Sequence, residues 1–149
     1  MPVNPAFAGR TYPPAGPYQI EREQLRQFAA AVGATAPACL DPAAARALGY
    51  ADVVAAPTFA VVIGQQAEAQ YIRDPASGID FGRVVHADES FRHHRPIVAG
   101  DRLWATLTVE SVAERQGLAM VTTRVDLHDA AGLPVAAVTS TLAVRGEPS

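Results

Sequence analysis

Lysine is absent from this 149-residue chain, cysteine and tryptophan each occur once, and no apolar run approaches the ~20 residues that a membrane-spanning helix needs. Each scarcity excludes something. The single thiol, Cys39, rules out an internal disulfide and any zinc cluster built from cysteines. The opening Met1-Pro2-Val3-Asn4 has neither a basic start nor an apolar block, so it does not read as a secretory signal, and a cytoplasmic protein is expected. Twelve arginines against fifteen acidic residues leave a net charge of -3, without the basic excess of a general nucleic-acid binder. No nucleic acid, membrane, metal or cofactor is expected as a partner. The charged fraction is 18% and the hydrophobic fraction 49%, the proportions of a folded chain. One domain over residues 1–149, large enough to bury a core, follows from the length. Arginine without lysine and abundant alanine suggest GC-rich coding, so alanine content carries little structural weight.

What is present is organised around Pro57 to Arg73, PTFAVVIGQQAEAQYIR. Phe59-Ala60-Val61-Val62-Ile63 is apolar on every face, and a helix without a polar stripe has to be enclosed. In so short a chain only a sheet wrapped around it does that. Gln65, Gln66, Glu68 and Gln70 then predict a second half emerging into solvent, stopped at Asp74-Pro75. Gly64, costly inside a helix, predicts a close backbone approach. A buried helix start near Pro57 and Thr58 would offer unpaired N–H groups and a positive dipole end to a carbonyl or an anion.

Ahead of this helix, the proline-rich residues 1–18 predict an extended surface arm without a helix, pinned by Tyr12 and Tyr18. Leu25, Phe28, Ala29 and Val32 recur at helical spacing and predict an amphipathic helix from Glu21 to Gly33. Residues 34–40 form a loop, and Asp41-Pro42 opens a short helix that Gly49 closes. Beyond a turn-rich 74–82, the rest alternates with period two: 85–92, 103–110, 118–128 and 135–144 are expected strands, with turns at 96–101 and 129–132 and a frayed tail at 146–149. The architecture is α+β, an antiparallel sheet curled around one apolar helix, which is the order of the hot-dog fold. Exposed sheet edges then predict a dimer, with Trp104, facing away from the core, as a candidate for its seam.

Residues 28–42, FAAAVGATAPACLDP, continuing through Gly49-Tyr50 to Pro57-Thr58-Phe59, resemble the hydratase segment of MaoC-like (R)-specific enoyl-thioester hydratases and 3-hydroxyacyl-thioester dehydratases. The block VVHADESFRHHRPIVAGDRL, 84–103, resembles the N-terminal MaoC-like dehydratase domain. The likeness runs from Phe7 to Gly146 and is nearest to the non-catalytic subunits of heterodimeric (3R)-hydroxyacyl-ACP dehydratases. It implies an acyl-ACP or acyl-CoA thioester as ligand, a role in fatty acid metabolism, and pairing as a homodimer or as a heterodimer with a catalytic MaoC-like subunit. In that family the active loop reads G-D-x-N-P-x-H. Its aspartate and histidine activate water and move the proton beside the carbonyl, one transfer at each end of the reacting bond. A helix N-terminus polarises the thioester oxygen.

Against that pattern Gly33 and Pro37 match, but Ala34 stands in place of the aspartate, Ala36 in place of the asparagine and Cys39 in place of the histidine. Neither a methyl group nor a thiol performs that proton work, so a non-catalytic, substrate-channel subunit is expected, inactive without a catalytic partner. The open alternatives are an autonomous enoyl-CoA hydratase with substitute residues and a homodimeric acyl-thioester binder. Ala56, Pro57, Thr58, Phe59 and Cys39 are the expected substrate contacts. His86 with Asp88, two apart on one strand face, is a candidate substitute acid/base pair, weighed against mere neighbours on a wet surface. Cys39 as a nucleophile is weighed against a buried inert thiol, the better reading because no base stands beside it in sequence. The run Arg92-His93-His94-Arg95 supplies Arg92, His93 and Arg95 as candidates for the carrier or its phosphates, weighed against a solvated strand end. Asp41 reads as a helix cap and Asp101 as a turn residue.

Overall fold

In the computed structural model, which describes residues 3–146, five antiparallel strands form one sheet in the order β1-β3-β4-β5-β2. The strands are β1 (Ala15–Gln19), β2 (Val84–His93), β3 (Arg102–Arg115), β4 (Leu118–His128) and β5 (Pro134–Arg145). Three helices precede β2: α1 (Arg22–Ala31), α2 (Pro42–Ala47) and α3 (Ala60–Ile72). The sheet curls around α3, as the hydrophobic pattern requires. Along the first half of β3 and along β4 and β5 every second residue is buried, from Leu103, Ala105, Leu107 and Val109 to Val138, Leu142 and Val144. These side chains meet Phe59, Ala60, Ile63, Ala67 and Tyr71 of α3 and the residue before it in one core.

Several elements differ from the sequence-based expectation. The N-terminal arm is more than surface packing: Val3 and Phe7 are fully buried, Pro5–Phe7 form a single 3-10 turn, and residues 15–19 pair with β3. The Phe7 ring lies 5.6 Å from that of Tyr71, so the arm closes one end of the core, while Tyr12 and Tyr18 pack against it in part. Met1 and Pro2 of the arm, and the tail beyond Gly146, lie outside the described residues. Gly146 itself is held, its carbonyl accepting a 2.8 Å hydrogen bond from Arg83.

Helix α3 begins at Ala60, three residues later than Pro57, and both Pro57 and Thr58 are exposed. Its second half emerges on one face, where Gln65 and Gln66 are exposed as expected, while Ala67, Glu68 and Tyr71 on the other face are buried, Glu68 against Thr123 of β4 and Tyr71 against Phe7. Gly64 is approached by a side chain and not by a backbone; a Cβ there would stand 3.4 Å from Val138 Cγ1. Asp41 caps α2 as expected, accepting from the Ala43 N–H at 3.1 Å.

The β2–β5 ladder carries a bulge between His86 and Asp88. Its inserted residue, Ala87, breaks the simple alternation. Val84 and His86 lie opposite Val144 and Leu142, and after the bulge Glu89, Phe91 and His93 lie opposite Ser140, Val138 and Ala136, all of them inward positions. Strand β2 is also an open edge of the sheet, pairing among the described residues with β5 alone. No helix among the described residues is long and apolar enough to cross a membrane.

Candidate functional site

Three segments build the cleft at the start of α3. The loop holding Ala34 to Leu40 lies against residues 53–57 through the Val54 N–H, which donates to the Ala38 carbonyl at 3.0 Å. Residues 53–57 in turn lie against the turn after β2: the Ala55 N–H donates to Ile97 at 2.8 Å and the Ala99 N–H to Val53 at 2.9 Å. Between them Val54, Ala55, Ala56, Pro57, His93, His94, Arg95, Pro96 and Ile97 line a cleft of about 370 Å³. Most of its wall is apolar, which suits a hydrocarbon-bearing ligand.

Of the expected substrate contacts, Ala56 and Pro57 reach this cleft. Phe59 is buried in the core, its ring edge-on to Phe28 at 5.4 Å, and Thr58 faces solvent. The helix start is less open to a ligand than expected, since Phe59, Val61 and Val62 donate their N–H groups to Ala56, Thr58 and Phe59 carbonyls. Cys39 sits on a 3-10 turn, 8% exposed, and burial pushes its thiol pKa up, away from the nucleophilic thiolate. Ala34 is half-buried in the loop ahead of it.

The basic run is divided by strand geometry. His93 points inward, stacks on Phe91 and makes a 2.8 Å hydrogen bond between its Nε2 and the Pro57 carbonyl. Arg95 is tied to Asp101 at 2.8 Å, and the Asp101 carboxylate also accepts from the Val98 N–H at 2.9 Å. Asp101 is thus more than a turn residue; it holds the 95–101 turn closed. Arg92 lies on the outer face with Arg124 and Asp126, away from the cleft. Only His93 and Arg95 of the three are brought to the helix start.

A second polar group escaped the sequence reading. Glu68, on the buried face of α3, is 2% exposed. Its Oε2 accepts from Thr123 Oγ1 at 2.6 Å, and its Oε1 lies 4.0 Å from His86 Nε2. Desolvation raises its carboxyl pKa, opposed by the Thr123 hydroxyl and by nearby His86. Glu89, across the bulge, accepts from Ser140 Oγ at 2.8 Å. The acid partner of His86 is therefore Glu68 and not Asp88, because the bulge turns Asp88 to the opposite face. Helical spacing held the signal: Glu68 follows Gly64 by four residues and precedes Tyr71 by three, on one stripe with both. Tyr71, fully buried with no hydrogen-bond partner for its hydroxyl among the described residues, has its pKa pushed up to about 12, chiefly by desolvation.

Residues 6–138 match the family described as FAS1-like, dehydratase domain region. A UPF0336 protein of Clavibacter michiganensis is 52% identical over 147 residues, covering 99% of both chains, and one of Streptomyces avermitilis is 46% identical over 97% of both. Among solved structures, a chain of the HadBC (3R)-hydroxyacyl-ACP dehydratase complex of Mycobacterium tuberculosis is 34% identical with a TM-score of 0.80, over 92% of this chain and 96% of that one. A MaoC-like dehydratase is 31% identical with a TM-score of 0.86, over 94% of this chain and 42% of the other. The R-hydratase PhaJ1 of Pseudomonas aeruginosa, at 20% identity and a TM-score of 0.70, shares the fold.

Proposed function

Since this chain belongs to the FAS1-like dehydratase-region family and has the MaoC-like hot-dog fold, we propose that it is the non-catalytic, substrate-channel subunit of a (3R)-hydroxyacyl-thioester dehydratase or (R)-specific enoyl-thioester hydratase. The observation that carries this reading is the chemistry of the cleft at α3. Ala34 and Cys39 stand in the loop where the family's aspartate and histidine act, and of the two imidazoles that line the cleft, His93 is hydrogen-bonded to a backbone carbonyl. Hydration needs a base to activate water and an acid to protonate the carbon beside the carbonyl. Missing one such group costs on the order of 10²–10⁴ in rate, and missing both leaves little. The partner bearing the intact motif supplies that pair, while this chain contributes the apolar wall from Val54 to Pro57 and Pro96 to Ile97. The similarity to a chain of the HadBC dehydratase complex supports the same arrangement.

The test is hydration of a short trans-2-enoyl-CoA by the purified chain, alone and after mixing with a motif-bearing subunit encoded beside it. The chain alone should be inactive and the pair active; strong turnover by the chain alone would overturn the proposal.

The Glu68–His86 pair favours a second reading, an autonomous hydratase. Its geometry is less suited to that chemistry. Glu68 is eight residues into α3 from Ala60, roughly 12 Å along the axis, too far for the helix start to polarise a carbonyl held between the two. Loss of lone-chain turnover in His86→Ala would support this reading, and an inactive wild type would end it.

A further inference from the structure

The Glu68–His86 pair opens onto a cleft of its own, separate from the one at the start of α3. It has a volume of about 430 Å³ and is lined by Gln65, Glu68, Ala69, Ile72, Arg73, Phe81 and His86. The proposed function uses none of these residues. From their chemistry we propose that this cleft binds a medium-chain carboxylate, its head group on His86, Arg73 and Gln65 and its hydrocarbon on Ala69, Ile72 and Phe81.

Three observations lead there. The first is the donor set. Arg73 has no ion-pair partner among the described residues, and exposed Gln65, two turns earlier on α3, lines the same cleft, so a guanidinium and an amide border the same space as the imidazole. A carboxylate accepts from all three, and charge-assisted bonds of this kind are about twice as strong as neutral ones. The second is the placement of Glu68. It is the buried member of the pair, fastened by Thr123, and lies 4.0 Å from an imidazole whose side chain is 38% exposed. One Glu68 oxygen is satisfied by the Thr123 hydroxyl and the other faces the imidazole, so the more exposed His86 ring is the group of the pair that a ligand meets. Arg73 adds to the cleft a guanidinium that no described carboxylate pairs.

The third is the apolar half. Phe81, on the 3-10 turn ahead of β2, is 69% exposed at the mouth of the cleft, and Ile72 and Ala69 form its floor. An exposed aromatic ring beside a small apolar floor gains from a hydrocarbon laid across it. A metal ion fits poorly here, since no group of three or more His, Cys, Asp or Glu side chains converges among the described residues. This proposal goes beyond the preceding one and does not depend on whether the chain is catalytic.

The experiment titrates the purified full-length chain with octanoate, and separately with octanol, while side-chain resonances are followed by NMR and affinities by calorimetry. Octanoate should shift the Gln65 amide, the Ile72 methyls and the Phe81 ring and bind roughly tenfold more tightly than octanol. His86→Gln and Arg73→Gln, each checked for an unchanged circular dichroism spectrum, should each weaken octanoate by several-fold and leave octanol unmoved. If Arg73 served only the helix C-terminus, its substitution would not change octanoate binding, and the proposal would fall. Equal affinity for the two ligands would overturn it, as would shifts confined to the cleft at residues 54–57 and 93–97.

Discussion

Glu68 is a carboxyl group placed where a hydrocarbon would pack without penalty. Because burial raises its folded-state pKa above the value near 4.5 of a free glutamate, the folded state holds the proton more tightly than the unfolded chain. The associated stability is fully present below about pH 4.5 and is lost as pH rises through the folded value. Glu68→Gln keeps an acceptor for Thr123 and removes the titration. The variant should therefore melt higher than wild type at pH 7.5, with the gap closing at pH 4, measured by calorimetric scans across that range. A variant less stable at pH 7.5 would show that pairing with His86 outweighs desolvation. The motif loop offers a converse test. Ala34→Asp combined with Cys39→His places a carboxylate and an imidazole at the two positions that the proposed function treats as vacated. Hydratase activity should rise at least ~10²-fold over the wild-type background, read with a short enoyl-CoA.

The elements respond to packing more than to propensity. Helix α3 carries Gly64 in its middle, where alanine is favoured by about 1 kcal/mol on propensity alone. A Cβ at 3.4 Å from Val138 is in ordinary contact, so Gly64→Ala should be neutral to stabilising by up to ~1 kcal/mol in urea unfolding. Gly64→Leu should destabilise by about 1–3 kcal/mol, because β5 cannot withdraw without breaking its ladders to β4 and β2. Strand β2 shows how one residue redirects several. Without the bulge at Ala87, simple alternation continued from His86 would turn Glu89, Phe91 and His93 outward, and His93 would lose the Pro57 carbonyl.

At the scale of the whole molecule, the open β2 edge dominates. A ten-residue strand with one neighbour presents unpaired backbone groups along its length, and Val85 is 51% exposed beside them. Association along this edge is expected, with either a second copy or a related chain of the same fold. Light scattering after gel filtration should find the wild-type chain in a dimeric particle, and Val85→Lys should shift it toward monomer without lowering the far-ultraviolet helix and strand signal. Trp104, expected at a seam, lies on β3, three strands away, stacked with His128 at 6.4 Å. It therefore belongs to the sheet face and not to this edge.

Much of this was legible in the chain order alone. Hydrophobic period two over most of residues 103–144 and a helix whose first half is apolar on every face are local facts, and they were enough for the fold class; the residues at Ala34 and Cys39 are equally local, and the proposed function starts from them. The start of α3, the closing of the core by Val3 and Phe7, the division of residues 92–95 between two faces, and the meeting of Glu68 with His86 were not legible. Each depends on how far a strand extends or where a bulge falls, and those are settled by pairing between residues distant in sequence. Periodicity states which face a residue shares with its neighbours; only the sheet closing on its helix decides which of those faces meet.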